Sequence, residues 1–491
     1  MTVLIRNELQ RHRREKLKLA GRAEKRNEEQ NMKNYLDMIR AVDPERTALI
    51  LHNKEYSYGD LVGLAVDKQK EISSGGGRKL QVVRESGILE QLVGFLACQG
   101  TDRVPLIVPM DAEVPEEFLS RELPEDACMA VMTSGTSGKN KLLLRTFESW
   151  HGYFETQNEI FHIGPDSRLF MQGSLAFTGN LNLYMAQLSA GAVILAEEVF
   201  DPRVWKKDIE DHGADGIYLI PAKLRALRQV YERRKYGHSG KNDRAGNDSS
   251  GSVPGRYAPV EDRISSDKIR FILSGSQSLG GDEAEKFRKI FPNADLILYY
   301  GASELNYITY VHGCDMGKDQ TLIGKAFPKV DVRVKDGEIH VTTNYGVMGV
   351  EPDAFIGDYG HLDEKGNLYF DGRRDDICNI NGRKVSAIRV ENALLTVPGV
   401  AEAAVRGEKS GGYDMLAAWV TLKRQVKAEI SETVKSEKNR EQNETEAESR
   451  RIHAALTAIL PAAEVPKRIM ILEEMPKNES GKILKRKLRL D

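Results

Sequence analysis

The stretch that most limits what this chain can be is Met132-Thr133-Ser134-Gly135-Thr136-Ser137-Gly138-Lys139-Asn140-Lys141, which follows the apolar pair Ala130-Val131. These ten residues hold four hydroxyls, two glycines and two lysines. Glycine lets backbone come close to a ligand and adopt φ > 0. Hydroxyls and free N–H groups donate to phosphate oxygens, and lysines add charge. The composition reads as a phosphate cradle or, taken alone, as a Ser/Gly-rich surface loop. It is not a Walker A loop, because Asn140 follows Gly138-Lys139 and Thr133 stands where the first glycine would be.

A chain of 491 residues is too long for one compact core, so two or three domains are expected. Hydrophobic residues at 40% and charged residues at 29% describe an ordinary globular protein. A net charge of −2 gives no reason to expect nucleic acid or an anionic membrane as partner. Cys98, Cys128, Cys314 and Cys378 have no metal-ligand spacing, which fits a reducing cytoplasm. No apolar run is long enough for stable membrane insertion. The charged segment from Leu4 to Glu29 has too thin an apolar face for a membrane-binding helix and reads as a solvated one.

Along the chain, short apolar runs alternate with helical periodicity, the pattern of layered α/β structure. Two of these runs, Ile269–Leu273 and Leu296–Tyr300, end in small residues: Ser274-Gly275-Ser276 and Gly301-Ala302-Ser303-Glu304. The carboxyl ends of parallel strands are where open α/β sheets bind ligands. Residues 235–262, rich in Gly, Ser, Asn, Asp and Lys, read as a mobile surface insertion. From Gly324 the pattern turns β-rich, with a hairpin expected at Lys365-Gly366-Asn367. The expected fold is α/β: a large N-terminal domain of layered α/β subdomains plus a β-rich subdomain over 1–374, then a small mobile α+β domain over 375–491.

Taken in order, these segments resemble the adenylate-forming superfamily of acyl-CoA synthetases, luciferases and peptide-synthetase adenylation domains. Thr133 to Lys141 is similar to its phosphate loop, with Asn140 where many members carry proline. Ser274-Gly275-Ser276-Gln277-Ser278-Leu279 resembles its adenine loop, "GGxxL", and Tyr300-Gly301-Ala302-Ser303-Glu304 its Tyr-Gly-x-x-Glu motif. Gly357-Asp358 and Gly372-Arg373-Arg374-Asp375 resemble the ribose and hinge motifs. The end of the chain, Pro476-Lys477-Asn478-Glu479-Ser480-Gly481-Lys482-Ile483-Leu484-Lys485, is similar to "PKxxSGKIxR", with Lys485 replacing the arginine.

The resemblance implies roles for these residues. Thr133, Ser134, Gly135, Thr136, Ser137, Gly138, Lys139 and Lys141 would bind the phosphates of ATP, with Thr136 also counted among the catalytic groups. Gly275, Ser276, Tyr300, Gly301 and Ser303 would lie along the nucleotide, and Asp358 and Arg373 at the ribose. Glu304 would hold Mg²⁺, although taken alone it reads as a helix N-terminal carboxylate. Lys482 would serve the first half-reaction, Asp375 the hinge, and Gly382 the thiol tunnel.

The activity implied is adenylation of a carboxylic acid, followed by transfer of the acyl group to coenzyme A. A carrier-protein phosphopantetheine is the alternative acceptor. A nucleotide- and acyl-binding protein without turnover is the alternative from another class. Thr178 stands where peptide synthetases place an Asp against their substrate's ammonium, and a hydroxyl cannot compensate that charge. Phe177, Thr178, Gly179, Ser274, Gly275 and Tyr300 are all uncharged, which points to a neutral fatty or aryl acid.

Overall fold

The computed structural model describes residues 33–72, 75–134, 140–236, 266–317, 319–380, 382–410, 413–423, 438–476 and 483–490. The charged segment near the N-terminus, most of the 235–262 insertion, Gly135–Lys139 and Lys482 lie outside them.

The strands Leu49, Phe170, Ile194, Ile217, Ile272 and Leu296 belong to are nearly continuous apolar runs, and the reason is burial on both faces. Leu169, Met171, Phe271, Leu273, Ile297 and Tyr299 pack into one core. Their alternate neighbours Phe170, Ile272, Leu296 and Leu298 pack into another on the opposite face. Period-two geometry sends successive side chains to opposite faces, so a sheet covered twice needs apolar residues throughout. Strands Thr47–Leu51, Val193–Glu197, Arg168–Gln172, Gly216–Tyr218, Phe271–Gly275 and Asp295–Ala302 run parallel in that spatial order. The sheet continues antiparallel through Asn306–His312 into the β-rich part, reaching thirteen strands among the described residues. The expected turn at Lys365-Gly366-Asn367 joins two of these strands, Ala354–Leu362 and Leu368–Arg373.

A second sheet carries the strands on either side of residues 135–139. Lys79–Val83, Arg103–Ile107 and Met129–Ser134 are parallel, and Asn140–Arg145 returns antiparallel.

After Arg373 a separate core forms around Val390, Leu394, Val405, Val420, Ile452 and Leu456. The helix Ala387–Thr396 starts where the Ser386 hydroxyl accepts from the Arg389 N–H. It packs on the hairpin of Val400–Ser410 and Tyr413–Leu422, with Arg468–Leu472 as a parallel third strand. The polar run after Leu422 is helical over Lys438–Thr457, with residues 424–437 outside the described set. Gly372, at φ 129°, sits where the chain enters this region, and a Cβ there would come within 3.0 Å of Asp376 Cβ. The fold is mixed α/β, with a large sheet-rich N-terminal domain and a small C-terminal one.

The tail is tied to this small domain by charge. Lys485 Nζ lies 2.9 Å from both Asp376 Oδ1 and Glu391 Oε1. Burial alone would lower the lysine's pKa, but the two carboxylates outweigh it and hold it above the ordinary value. The indole of buried Trp419 donates to the Arg489 carbonyl at 2.7 Å, and the Leu484 N–H to the Pro476 carbonyl at 2.7 Å. Lys485→Met should destabilise the protein by about 2 kcal/mol, since it leaves two part-buried carboxylates without their cation. The wild-type pair keeps its full contribution below the ordinary lysine range and loses it as pH rises past the elevated pKa. Urea unfolding of both proteins at neutral pH checks this; coincident midpoints would remove the ion pair from the account.

Candidate active site

A cavity of about 710 Å³ opens at the carboxyl ends of the parallel strands. Five separate stretches meet on its wall. The first supplies Thr133 and Lys141; the second, Ser276; the third, Gly301, Ser303 and Glu304; the fourth, Asp358; and the fifth, Arg373. Phe177, Thr178 and Gly179, at the start of the helix Thr178–Ser189, close one side.

Glu304 does not begin a helix. It lies in the turn between Asp295–Ala302 and the antiparallel strand Asn306–His312. Gly301 is required there, because a Cβ would come within 2.5 Å of the Asn306 carbonyl oxygen. Among the described residues Glu304 makes no ion pair, so its carboxylate is available to a cation. No three His, Cys, Asp or Glu side chains gather into a metal cage among those residues. One carboxylate fits a magnesium ion that takes its other ligands from phosphates and water.

The turn is fixed by a residue the sequence reading did not single out. Arg145 is fully buried at the end of Asn140–Arg145 and lines the cavity. Its Nη2 donates to the Ser303 carbonyl at 2.7 Å, and its Nη1 to the Tyr345 carbonyl at 3.0 Å and to Ser149 Oγ at 3.3 Å. The guanidinium also lies over the Trp150 ring, 5.4 Å from its centroid. Burial lowers its pKa to about 10, so it stays charged at neutral pH. The only signal in the sequence is an arginine placed directly after Leu142-Leu143-Leu144.

Asp358 is 3% exposed. Burial raises its pKa above the usual carboxylate value, while the Tyr300 hydroxyl bond and the Arg373 guanidinium pull it back down. Tyr300 donates to Oδ2, and Arg373 Nε lies 3.4 Å from Oδ1. The structure thus joins three expected residues into one polar chain.

Three expected residues are off the cavity wall: Tyr300, which reaches it only through Asp358, and two glycines. Gly382, at φ 83°, is in the turn between Ile377–Ile380 and Arg383–Ser386 and is not on the cavity wall. Gly275 ends its strand facing the ring of Tyr299, and a Cβ on it would come within 2.6 Å of that ring. Ser134 has only its backbone described, at the end of Met129–Ser134, and Asp375 only its backbone, within the turn Arg374–Asp376.

Because Asp358 has a raised pKa, its proton-bound form is favoured by the fold and the wild type loses stability as pH rises through that pKa. Asp358→Asn should therefore be as thermostable as wild type, or more so, at pH 7. The difference should shrink as pH falls toward the ordinary carboxylate range. Thermal unfolding across that range tests it; a lower Tm for the variant at pH 7 would contradict the assignment.

Residues 108–349 match the family model "AMP-binding enzyme", and residues 389–482 match "AMP-binding enzyme C-terminal domain". The chain is similar to the uncharacterized acyl–CoA ligase YhfT of Bacillus subtilis (strain 168), 22% identical over 383 residues covering 74% of this chain and 69% of that protein. It is also similar to an acetyl-coenzyme A synthetase of Coprinopsis cinerea, 27% identical over 413 residues covering 79% of this chain and 58% of the other. Its fold matches that of O-succinylbenzoate coenzyme A synthetase from Bacillus subtilis, with a TM-score of 0.70 at 17% identity, over 93% of this chain and 99% of that one. With the two family models matched in succession along it, the chain belongs to the adenylate-forming, AMP-binding enzyme family.

Proposed function

We propose that the protein is an acid–thiol ligase that adenylates a carboxylic acid with ATP and passes the acyl group to coenzyme A. One observation carries the reading: Lys141, Ser303, Glu304, Asp358 and Arg373, distant in sequence, line a single cavity. The CoA ligases and synthetases among its relatives support coenzyme A as the thiol.

In the first step a carboxylate oxygen bonds to the α-phosphorus of ATP and pyrophosphate departs. Two anions must meet, and positive charge fixed beforehand lowers the barrier. Lys141 with the hydroxyls and N–H groups of 133–139, buried Arg145, and Lys482 would supply that charge. Glu304 would hold magnesium, which when bound neutralises phosphate charge. Asp358, as an ionised double acceptor, suits the ribose hydroxyls, with Arg373 beside it and Tyr300 fixing its orientation. In the second step the thiol attacks the acyl carbon and AMP leaves.

The second step needs a different partner at the same site. Rotation of a 375–491 lid about Asp375 would withdraw Lys482 and bring Gly382 to the thiol path. Four cysteines with free thiols, three of them buried, suit the reducing cytoplasm as the protein's compartment.

The first test is acid-dependent ATP–pyrophosphate exchange without thiol, followed by thioester formation with CoA. Exchange and thioester together are expected. Exchange without CoA product would transfer the reading to a carrier-protein acceptor, and no exchange with any acid would overturn it. Lys482→Ala should lose exchange but still convert supplied acyl-adenylate to thioester, whereas equal loss of both contradicts the division of labour. Asp375→Pro, which fixes φ at the hinge, should spare exchange and slow thioester formation. Unchanged overall turnover would remove Asp375 as the pivot.

A further inference from the structure

Past the Phe177–Gly179 side of the cavity, the space between the helix Thr178–Ser189 and the parallel strands is filled with tyrosine. Tyr299 lays its ring over Gly275, whose missing side chain makes the room. Its hydroxyl lies 2.8 Å from that of Tyr218, which comes from the neighbouring strand pair. Tyr307 stands edge-on to Tyr299 with centroids 4.8 Å apart, and Phe161 backs both rings. All four rings are at most 8% exposed. The Tyr307 hydroxyl donates to Asn182 Oδ1 at 2.9 Å, while Asn182 Nδ2 is buried without a partner.

An acyl tail leaving the nucleotide end of the cavity heads into this wall. The 710 Å³ must hold both nucleotide and acid, within the size range of single-ligand pockets. A tail long enough to pass Asn182 would have to displace rings held by mutual hydrogen bonds. It would also bury hydrocarbon against an unpaired amide, which is unfavourable. We infer that the acid is compact, a short aliphatic or single-ring acid, and that Tyr218, Tyr299 and Tyr307 set the limit on its length. This rests on the ligase reading and narrows its fatty-or-aryl acid to the small end of both classes.

The test is ATP–pyrophosphate exchange by the wild-type protein across acetate, propionate, butyrate, benzoate, octanoate and dodecanoate. At least one of the four small acids should exceed both long ones by about tenfold or more in kcat/KM, the scale on which pocket size discriminates. Preference for octanoate or dodecanoate overturns the inference and leaves the ligase reading intact. Exchange with no acid sinks both. A second arm compares Tyr299→Phe, which keeps the ring, with Tyr218→Phe/Tyr299→Val, which removes the obstruction without stranding a hydroxyl. The first should keep the small-acid preference and the second should move it toward octanoate. An unchanged profile in the folded double variant would overturn the assignment of these rings.

Discussion

Arg145 carries a full positive charge to a place water does not reach, and no described carboxylate bonds to it. Moving an unpaired charge out of water is costly, so such a group persists only where surrounding dipoles hold it. Here the dipoles are the carbonyls of Ser303 and Tyr345. The Val347 N–H meets the Glu304 carbonyl at 2.8 Å, and the Met348 N–H meets the Leu144 carbonyl at 2.8 Å. One guanidinium thereby joins the strand Asn140–Arg145, the turn carrying Glu304, and the segment following Thr343. The relative placement of Lys141 and Glu304 depends on that junction.

The same logic, a fixed charge held at some cost to stability, recurs at Asp358. A carboxylate buried beside a tyrosine and an arginine is less stable than one in water, yet its orientation is fixed before any ligand arrives. Lys485 shows the contrasting case, where two carboxylates surround one cation and the contact steadies the fold. Orientation in advance is what makes electrostatic groups effective during a reaction. Stability lost at a site and recovered elsewhere is a common arrangement in enzymes.

Much of the fold was legible because burial on two faces leaves a mark in sequence. The runs at 192–196 and 271–273 are apolar at every position, and small residues follow the second. The motif order located Thr133, Lys141, Ser276, Glu304, Asp358 and Arg373, all of which reach one cavity. Arg145 stayed hidden because its partners lie 158 and 200 residues away and are backbone carbonyls, which no side-chain pattern announces. Gly275 was read as room for a ligand, whereas the room is taken by Tyr299. Glycine spacing reports that something comes close without saying what. Glu304, read without its neighbouring motifs, looked like a helix start because a turn between antiparallel strands uses the same small residues.

The paired hydroxyls of Tyr218 and Tyr299 bear on how such a pocket changes over generations. Replacing Tyr299 alone with a small residue opens space but strands the Tyr218 hydroxyl, and replacing Tyr218 alone with phenylalanine strands the hydroxyl of Tyr299 without opening anything. Each single step leaves a buried hydroxyl unpaired, and only the two together enlarge the pocket cleanly. A lineage carrying this pair is held to its pocket depth by epistasis, and drift toward longer ligands has to pass through an intermediate with one stranded hydroxyl.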